Sequence, residues 1–263
     1  MSAGGAQEAR GRPVVLVLAA AGVLALVVAI ALRRPTTSPT TNAPSATDAS
    51  HDDGVELILR VPRAKTAPVL DGELTEPLWV DGAARTGPFL ESGSPSRASL
   101  ARPYSEARFA WGDGQLYVGL YASDEDIRAT HDAGDGQVWR DDSFRLAFHD
   151  DAPNAREYLF DVSALGVLAD GVRAARSPSE AVDYTWSSHA RIGHELEGSP
   201  NDPSNNDEEW VIEMAIPLAS LGKQGVRGER IGLWVSRCDT PKGQPRTCGD
   251  WGRTHDRGVL VLD

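Results

Sequence analysis

From residue 55 onward the apolar residues of this chain come in short stretches that alternate with polar ones. They run VELILRV (55–61), SEARFAW (105–111), QLYVGLYA (115–122), SFRLAF (143–148), REYLFDVS (156–163), TWSSHARI (185–192), EEWVIEMAI (208–216), IGLWVSRC (231–238) and GVLVL (258–262). A period of two sends successive side chains to opposite faces of a strand, and no long run carries the 3.6-residue period of a surface helix. So many half-apolar strands bury their faces only by pairing two sheets. The expectation is therefore an all-β domain, an antiparallel β-sandwich of jelly-roll or immunoglobulin-like type. The clearest hairpin joins 105–111 to 115–122 through Gly112-Asp113-Gly114, where Asp-Gly supplies the positive φ of a tight turn. One short helical turn is expected within 74–84, with Thr75 as N-cap and Pro77 in its first turn.

Ahead of the sandwich the pattern changes. Residues 13–32, PVVLVLAAAGVLALVVAIAL, carry no charge, and as a helix they would span roughly 30 Å, the thickness of a bilayer core. The length favours a retained transmembrane helix, while Ala29-Ile30-Ala31, an A-x-A-like sequence, keeps cleavage as the alternative. Arg10 and Arg12 before the run and Arg33 and Arg34 after it do not decide orientation. From Pro35 to Ser50 the chain is rich in Pro, Ser and Thr and lacks apolar anchors, as a solvated stalk does. The organisation read from the sequence is an N-terminus at 1–12, a membrane helix or uncleaved signal anchor at 13–32, a linker at 33–54 and one domain at 55–263.

After the first fifty residues, 36 acidic residues stand against 22 basic ones. That balance repels phosphate backbones and argues against nucleic acid as a partner. The only cysteines, Cys238 and Cys248, are spaced C-x9-C around a Pro/Gly loop. They suit a disulfide, with two free core thiols as the alternative. A disulfide beside a stalk and a membrane segment favours an extracytoplasmic domain, periplasmic or at the cell surface, with the N-terminus in the cytoplasm.

The stretch VWRDDSFRLAF (138–148) concentrates the chemistry. Phe144, Leu146 and Phe148 point one way and Ser143, Arg145, Ala147 and His149 the other, which leaves Trp139 outside the hydrophobic repeat. An indole offers a flat apolar face with one polar handle, suited to the C–H face of a sugar ring. The alternative is that Trp139 caps the core. Trp234 shares a face with Ser236 and Cys238, opposite Leu233 and Val235, a placement compatible with lining the same recess. Trp210 alternates in phase with Ile212, Met214 and Ile216 and is read as core. Asp124, Glu125 and Asp126 end a strand beside the acidic loop 131–137, and clustered oxygen ligands of that kind suit calcium, with Asp124 and Asp126 as the candidate ligands. Solvated turns are the plainer reading of such loops. The histidines show no zinc-ligand spacing.

Four segments in order, APVLDGELTEPLW (67–79), GQLYVGLYASDED (114–126), VWRDDSFRLAF (138–148) and EEWVIEMAIPLASL (208–221), resemble the family 9 carbohydrate-binding modules and their β-sandwich relatives. The resemblance implies an antiparallel sandwich, no intrinsic catalysis, structural calcium in some members, and two Trp rings that clamp the terminal sugar of a polysaccharide. Trp139 matches the first ring by its place in the motif, and Trp251 matches the second by its spacing from the last strand. The polar partners depart from the pattern. Where glycan-binding members carry Glu on the strand after the first Trp and Arg on the next, this chain carries Arg145 and Asp161.

The expected function is a membrane-held module that binds an oligo- or polysaccharide through Trp139, Trp251, Arg145 and Asp161, with calcium as the one cofactor suggested. A structural or adhesive ectodomain without sugar binding is the alternative. A glycosidase is disfavoured because the paired acids, Asp141 with Asp142 and Glu208 with Glu209, are sequence neighbours whose side chains diverge. Haem-based electron transfer lacks a suitable axial ligand, since Met214 is in phase with the core.

Overall fold

A computed structural model of the chain describes residues 56–93, 99–134, 136–150, 155–174, 180–252 and 257–263. The expected membrane helix at 13–32, the linker at 33–54 and residues 1–12 lie outside the described residues. Among the described residues no helix is long and apolar enough to cross a membrane.

The described strands are β1 (Glu56–Val61), β2 (Ala84–Arg85), β3 (Leu90–Glu91), β4 (Ser105–Gly112), β5 (Gln115–Ser123), β6 (Ser143–His149), β7 (Arg156–Ser163), β8 (Leu168–Ala174), β9 (Arg191–Glu197), β10 (Glu209–Pro217), β11 (Arg230–Asp239), β12 (Thr247–Trp251) and β13 (Arg257–Leu262). They form two sheets. One runs β1-β13-β11-β6-β7-β8, with β12 also paired to β11 and β3 to β12, and the other runs β2-β4-β5-β10-β9. Pairing is antiparallel as expected except at β1, which lies parallel to β13. The turn between β4 and β5 has positive φ at both Asp113 and Gly114, as the Asp-Gly pair requires.

The alternation seen in the sequence places the core. Phe109 and Trp111, Leu116, Val118 and Leu120, and Trp210, Ile212, Met214 and Ile216 meet Phe144, Leu146 and Phe148, Phe160 and Val162, and Leu233 and Val235 between the sheets. Aromatic edges lock the layers: Phe144 stands 5.0 Å from Trp210 at 65° and 6.1 Å from Phe89 at 89°. Two expectations need correction, and β8, with Asp170 and Gly171 at its centre and little alternation, had no expected counterpart. The strand expected at 185–192 begins only at Arg191; Trp186 ahead of it packs on Tyr158 and Phe160. The helical turn is confined to Leu78–Gly82 and has no side-chain cap; the Thr75 hydroxyl donates to Glu73 and accepts no N–H of the turn.

The DGELTEPLW segment is explained by Glu213. On β10 this residue faces away from the core, between Gly119 of β5 and Gly193 of β9 in register. The two glycines leave room for residues 70–79 to lie on the sheet: a Cβ at Gly193 would come within 2.3 Å of the Leu70 carbonyl oxygen, and one at Gly119 within 2.7 Å of Leu74. Glu213 is fully buried beneath that segment. Its Oε2 accepts the Asp71 and Gly72 N–H groups at 3.0 and 2.8 Å, and its Oε1 accepts the Trp79 indole N–H at 2.6 Å. Burial pushes the Glu213 carboxyl up to about 7, against the three donors, which favour its charged form.

Cys238 and Cys248 form the expected disulfide, directly opposite one another in the β11–β12 register with Cα atoms 4.1 Å apart. The link closes a short loop. Replacing both cysteines with serine is expected to lower the unfolding free energy by about 2–3 kcal/mol, measured by urea denaturation of the variant beside the oxidised wild type.

Candidate functional site

The outer face of the larger sheet, on the side away from the core, is built in rows across β11, β6 and β7. Ser236, Arg145 and Asp161 make one row, with Trp234, Ala147 and Leu159 on one side of it and Cys238, Ser143 and Ser163 on the other. Small side chains dominate these rows, so the surface is hollow between the larger ones. A recess of about 300 Å³ results, lined by Trp139 and Trp234, by Arg145 and Asp161, and by Ser92, Ser143, Ser236 and the disulfide. Larger hollows of about 490 and 570 Å³ lie over β5-β10-β9 and beside residues 62–69. Neither presents two indoles.

Trp139 sits on the short turn Val138–Arg140, whose Val138 is anchored in the interior. Arg246 staples the turn from the other side, donating through Nη2 to the carbonyls of Trp139 at 3.0 Å and Asp141 at 2.7 Å and through Nη1 to that of Arg140 at 3.1 Å. One face of the indole stacks on Tyr184, with centroids 5.5 Å apart and planes 18° from parallel. Gly171 on β8 lets the Tyr184 segment come close, since a Cβ there would meet Tyr184 at 3.1 Å and Val182 at 2.5 Å. Trp139 is therefore a half-buried ring with a fixed orientation. Sequence reasoning missed both Tyr184 and Arg246, because loop residues far along the chain carry no periodic signal.

Asp141 and Asp142 serve the same turn. Asp141 accepts the N–H groups of Thr130 and His131 at 3.0 and 2.9 Å. Asp142 accepts those of Arg128 and Thr240 at 2.7 and 2.8 Å. These carboxylates tie loop backbone together, and neither is aimed at the recess.

Arg145 and Asp161 face each other across β6 and β7 and pair through both oxygens, Nε to Oδ1 at 2.6 Å and Nη2 to Oδ2 at 2.8 Å. Asp161 is fully buried, while about a third of the Arg145 side chain is open to the recess. Burial raises the Asp161 carboxyl pKa, and the guanidinium opposes the rise. Both oxygens of Asp161 are engaged, whereas among the described residues no acceptor takes a hydrogen bond from the Nη1 of Arg145. Arg145 is therefore the donor that the pair presents to the recess.

The structure does not bring Trp251 to this recess. It lies opposite Val235 in the β11–β12 register and so projects to the core side of the sheet. There its ring packs against the core edge and over Gly258, where a Cβ would come within 2.6 Å of it. Trp234, two strands from Asp161 and on the outer face, is the second indole of the recess.

The candidate calcium ligands do not form an open oxygen site. Asp126 is paired with Arg128, 2.6 Å from Nη2 and 3.0 Å from Nε. Asp124 accepts the Asp126 N–H on Oδ1, and Arg237 and the Trp210 indole on Oδ2. Asp124 instead clusters with Asp142 and Asp239, their carboxylate oxygens lying within 4.8 Å of one another. Burial and the neighbouring Asp124 carboxylate push Asp142 up to about 6; burial raises Asp239 to about 7 against the pull of Arg237.

A two-sheet sandwich of this kind, with an aromatic recess on one outer face, has the fold of a carbohydrate-binding module. The family model described as "Carbohydrate family 9 binding domain-like" matches residues 70–257, and the chain belongs to that family. Among solved structures it is similar to a candidate carbohydrate-binding protein of Bacteroides uniformis, with 18% identity, 80% of this chain and 100% of that one covered, and a TM-score of 0.58. It is also similar to a family 9 carbohydrate-binding module of Caldicellulosiruptor kristjanssonii. The complex with cellotriose shows 14% identity, 78% and 93% coverage and a TM-score of 0.52. The complex with glucose shows 15%, 78%, 95% and 0.53. At these identities the likeness is one of fold. No curated protein matches the chain.

Proposed function

We propose that the domain is a non-catalytic glycan-binding module whose ligand enters the recess between Trp139 and Trp234. The observation that carries this reading is that two indoles line one recess together with the Arg145–Asp161 pair on an outer sheet face. Tyr184 already stacks on one side of Trp139, so the other side is the one available to a sugar ring. Arg145 donates to a ring oxygen or hydroxyl, while Asp161 orients it. The cellotriose and glucose complexes of the Caldicellulosiruptor module support a saccharide as the ligand class. The segment 13–32 would hold the module at a membrane on its extracytoplasmic side, consistent with the disulfide.

Isothermal titration of the full-length protein with glucose, cello-oligosaccharides and a wider glycan panel tests this. Trp139→Ala removes a stacking contact of about 0.5–1.5 kcal/mol together with the burial of one ring face, so affinity is expected to fall about tenfold. No heat with any glycan, or equal affinity in the variant, would overturn the assignment. One observation favours a second reading: the closed bidentate pair of Arg145 with buried Asp161 is also what a purely structural sandwich would hold. An adhesive ectodomain of that kind would give no heat in the same titration.

A further inference from the structure

Arg237 of β11 is an arginine pointing into the interior, in phase with Leu233 and Val235, and only 3% exposed. Around it stand Asp124, Asp142 and Asp239, which are 1%, 0% and 2% exposed. One oxygen from each of the three lies within 4.8 Å of the others, the kind of grouping that a hard cation's oxygen shell is built on. Buried charges need such compensation, since an unpaired one costs several kcal/mol.

We propose that Arg237 is the resident counter-cation of this three-carboxylate cluster and takes the place that a divalent metal would otherwise fill, so that the cluster needs no calcium to hold the fold. The geometry supports the substitution atom by atom. Arg237 Nη2 lies 2.8 Å from Asp124 Oδ2 and 2.7 Å from Asp239 Oδ1, bridging two of the three acids. A calcium ion bound at its usual distance of about 2.3–2.6 Å from those same oxygens would press against that nitrogen, a cation against a cation. The guanidinium is also held where it is. The Trp210 ring lies 5.7 Å from its centre, and Nη1 donates to the Ser105 hydroxyl at 3.3 Å. Each oxygen of the third acid, Asp142, accepts one backbone N–H group. From the rim, Arg246 comes to 3.8 Å of it. Of the six oxygens, Asp239 Oδ2 is the one buried without a hydrogen-bond partner, and a single oxygen does not make a calcium shell.

Thermal unfolding of the full-length protein, followed by tryptophan fluorescence in excess chelator and in millimolar calcium, is the test. Wild type is expected to unfold at the same temperature in both; a rise of several degrees in calcium would overturn the proposal. Arg237→Met keeps the aliphatic stem and removes the charge. Its midpoint is expected to fall by roughly 10 °C in chelator and to recover as calcium is added. A folded variant indifferent to calcium would also overturn the proposal. If Arg237→Met does not fold, equilibrium dialysis of wild type against calcium decides alone: no uptake is expected above that of an Asp124→Asn control, and one tightly held ion per chain would refute the substitution.

Discussion

Glu213→Ala is expected to lower the unfolding free energy by about 4 kcal/mol, because it strands the Asp71 and Gly72 N–H groups and the Trp79 indole N–H beneath the segment they anchor. Each buried donor left unsatisfied costs about 1–3 kcal/mol, less whatever water recovers as the segment loosens. For a domain of this size the midpoint should drop by about 10 °C or more. Urea and thermal denaturation measure it. Glu213→Gln keeps an acceptor and should lose less. The pH dependence of that variant supplies an independent check. The folded-state pKa of Glu213, about 7, lies above its ordinary value, so its protonation favours the folded state. The associated stability is fully present below about pH 4.5 and is lost as pH rises through about 7, a change of about 3 kcal/mol. Wild type should therefore hold its largest advantage over Glu213→Gln at pH 5 and its smallest at pH 8. An unchanged difference across that range would show that the carboxyl titrates normally.

Arg145→Ala is the second large effect. It leaves the Asp161 carboxylate fully buried without the guanidinium that satisfies both oxygens. Breaking a buried pair from one side costs about 3–5 kcal/mol, and the partial exposure of Arg145 brings the expectation to about 2–3 kcal/mol. Arg145→Ala with Asp161→Ala should recover much of the loss, since no charge is then stranded. Glycan affinity separates the two roles of the pair. If Arg145 donates to the ligand, the double variant regains stability and stays defective in titration. If the pair is structural only, binding returns with stability.

Much of the fold was legible in the sequence because alternation is a local signal. The faces of β4, β5, β6, β10 and β11 follow from residue parity, and so does the outward position of Trp234. The inward position of Arg237 has the same origin: it shares the parity of Leu233 and Val235, and a charge facing inward was the available clue to a buried ion cluster. Strands β2 and β3 are two residues long, and β8 mixes Gly, Asp and Ala, so none has a pattern to read. Trp251 was assigned by its spacing from the last strand. Its face is set by the register of β12 on β11, which no local spacing reveals. Glu213 appeared only as a polar interruption in EEWVIEMAI. Its role depends on glycines in two neighbouring strands and on an indole 134 positions earlier.

The parallel pairing of β1 with β13 bears on how the domain carries load. The chain enters the sandwich at Glu56, and from there to Val61 each residue of β1 has a partner on β13. Tension applied along β1 is thus borne by the whole set of interstrand bonds in shear. A perpendicular pull would peel the strand away bond by bond. A pull along the direction of β1 therefore meets more resistance than one across it.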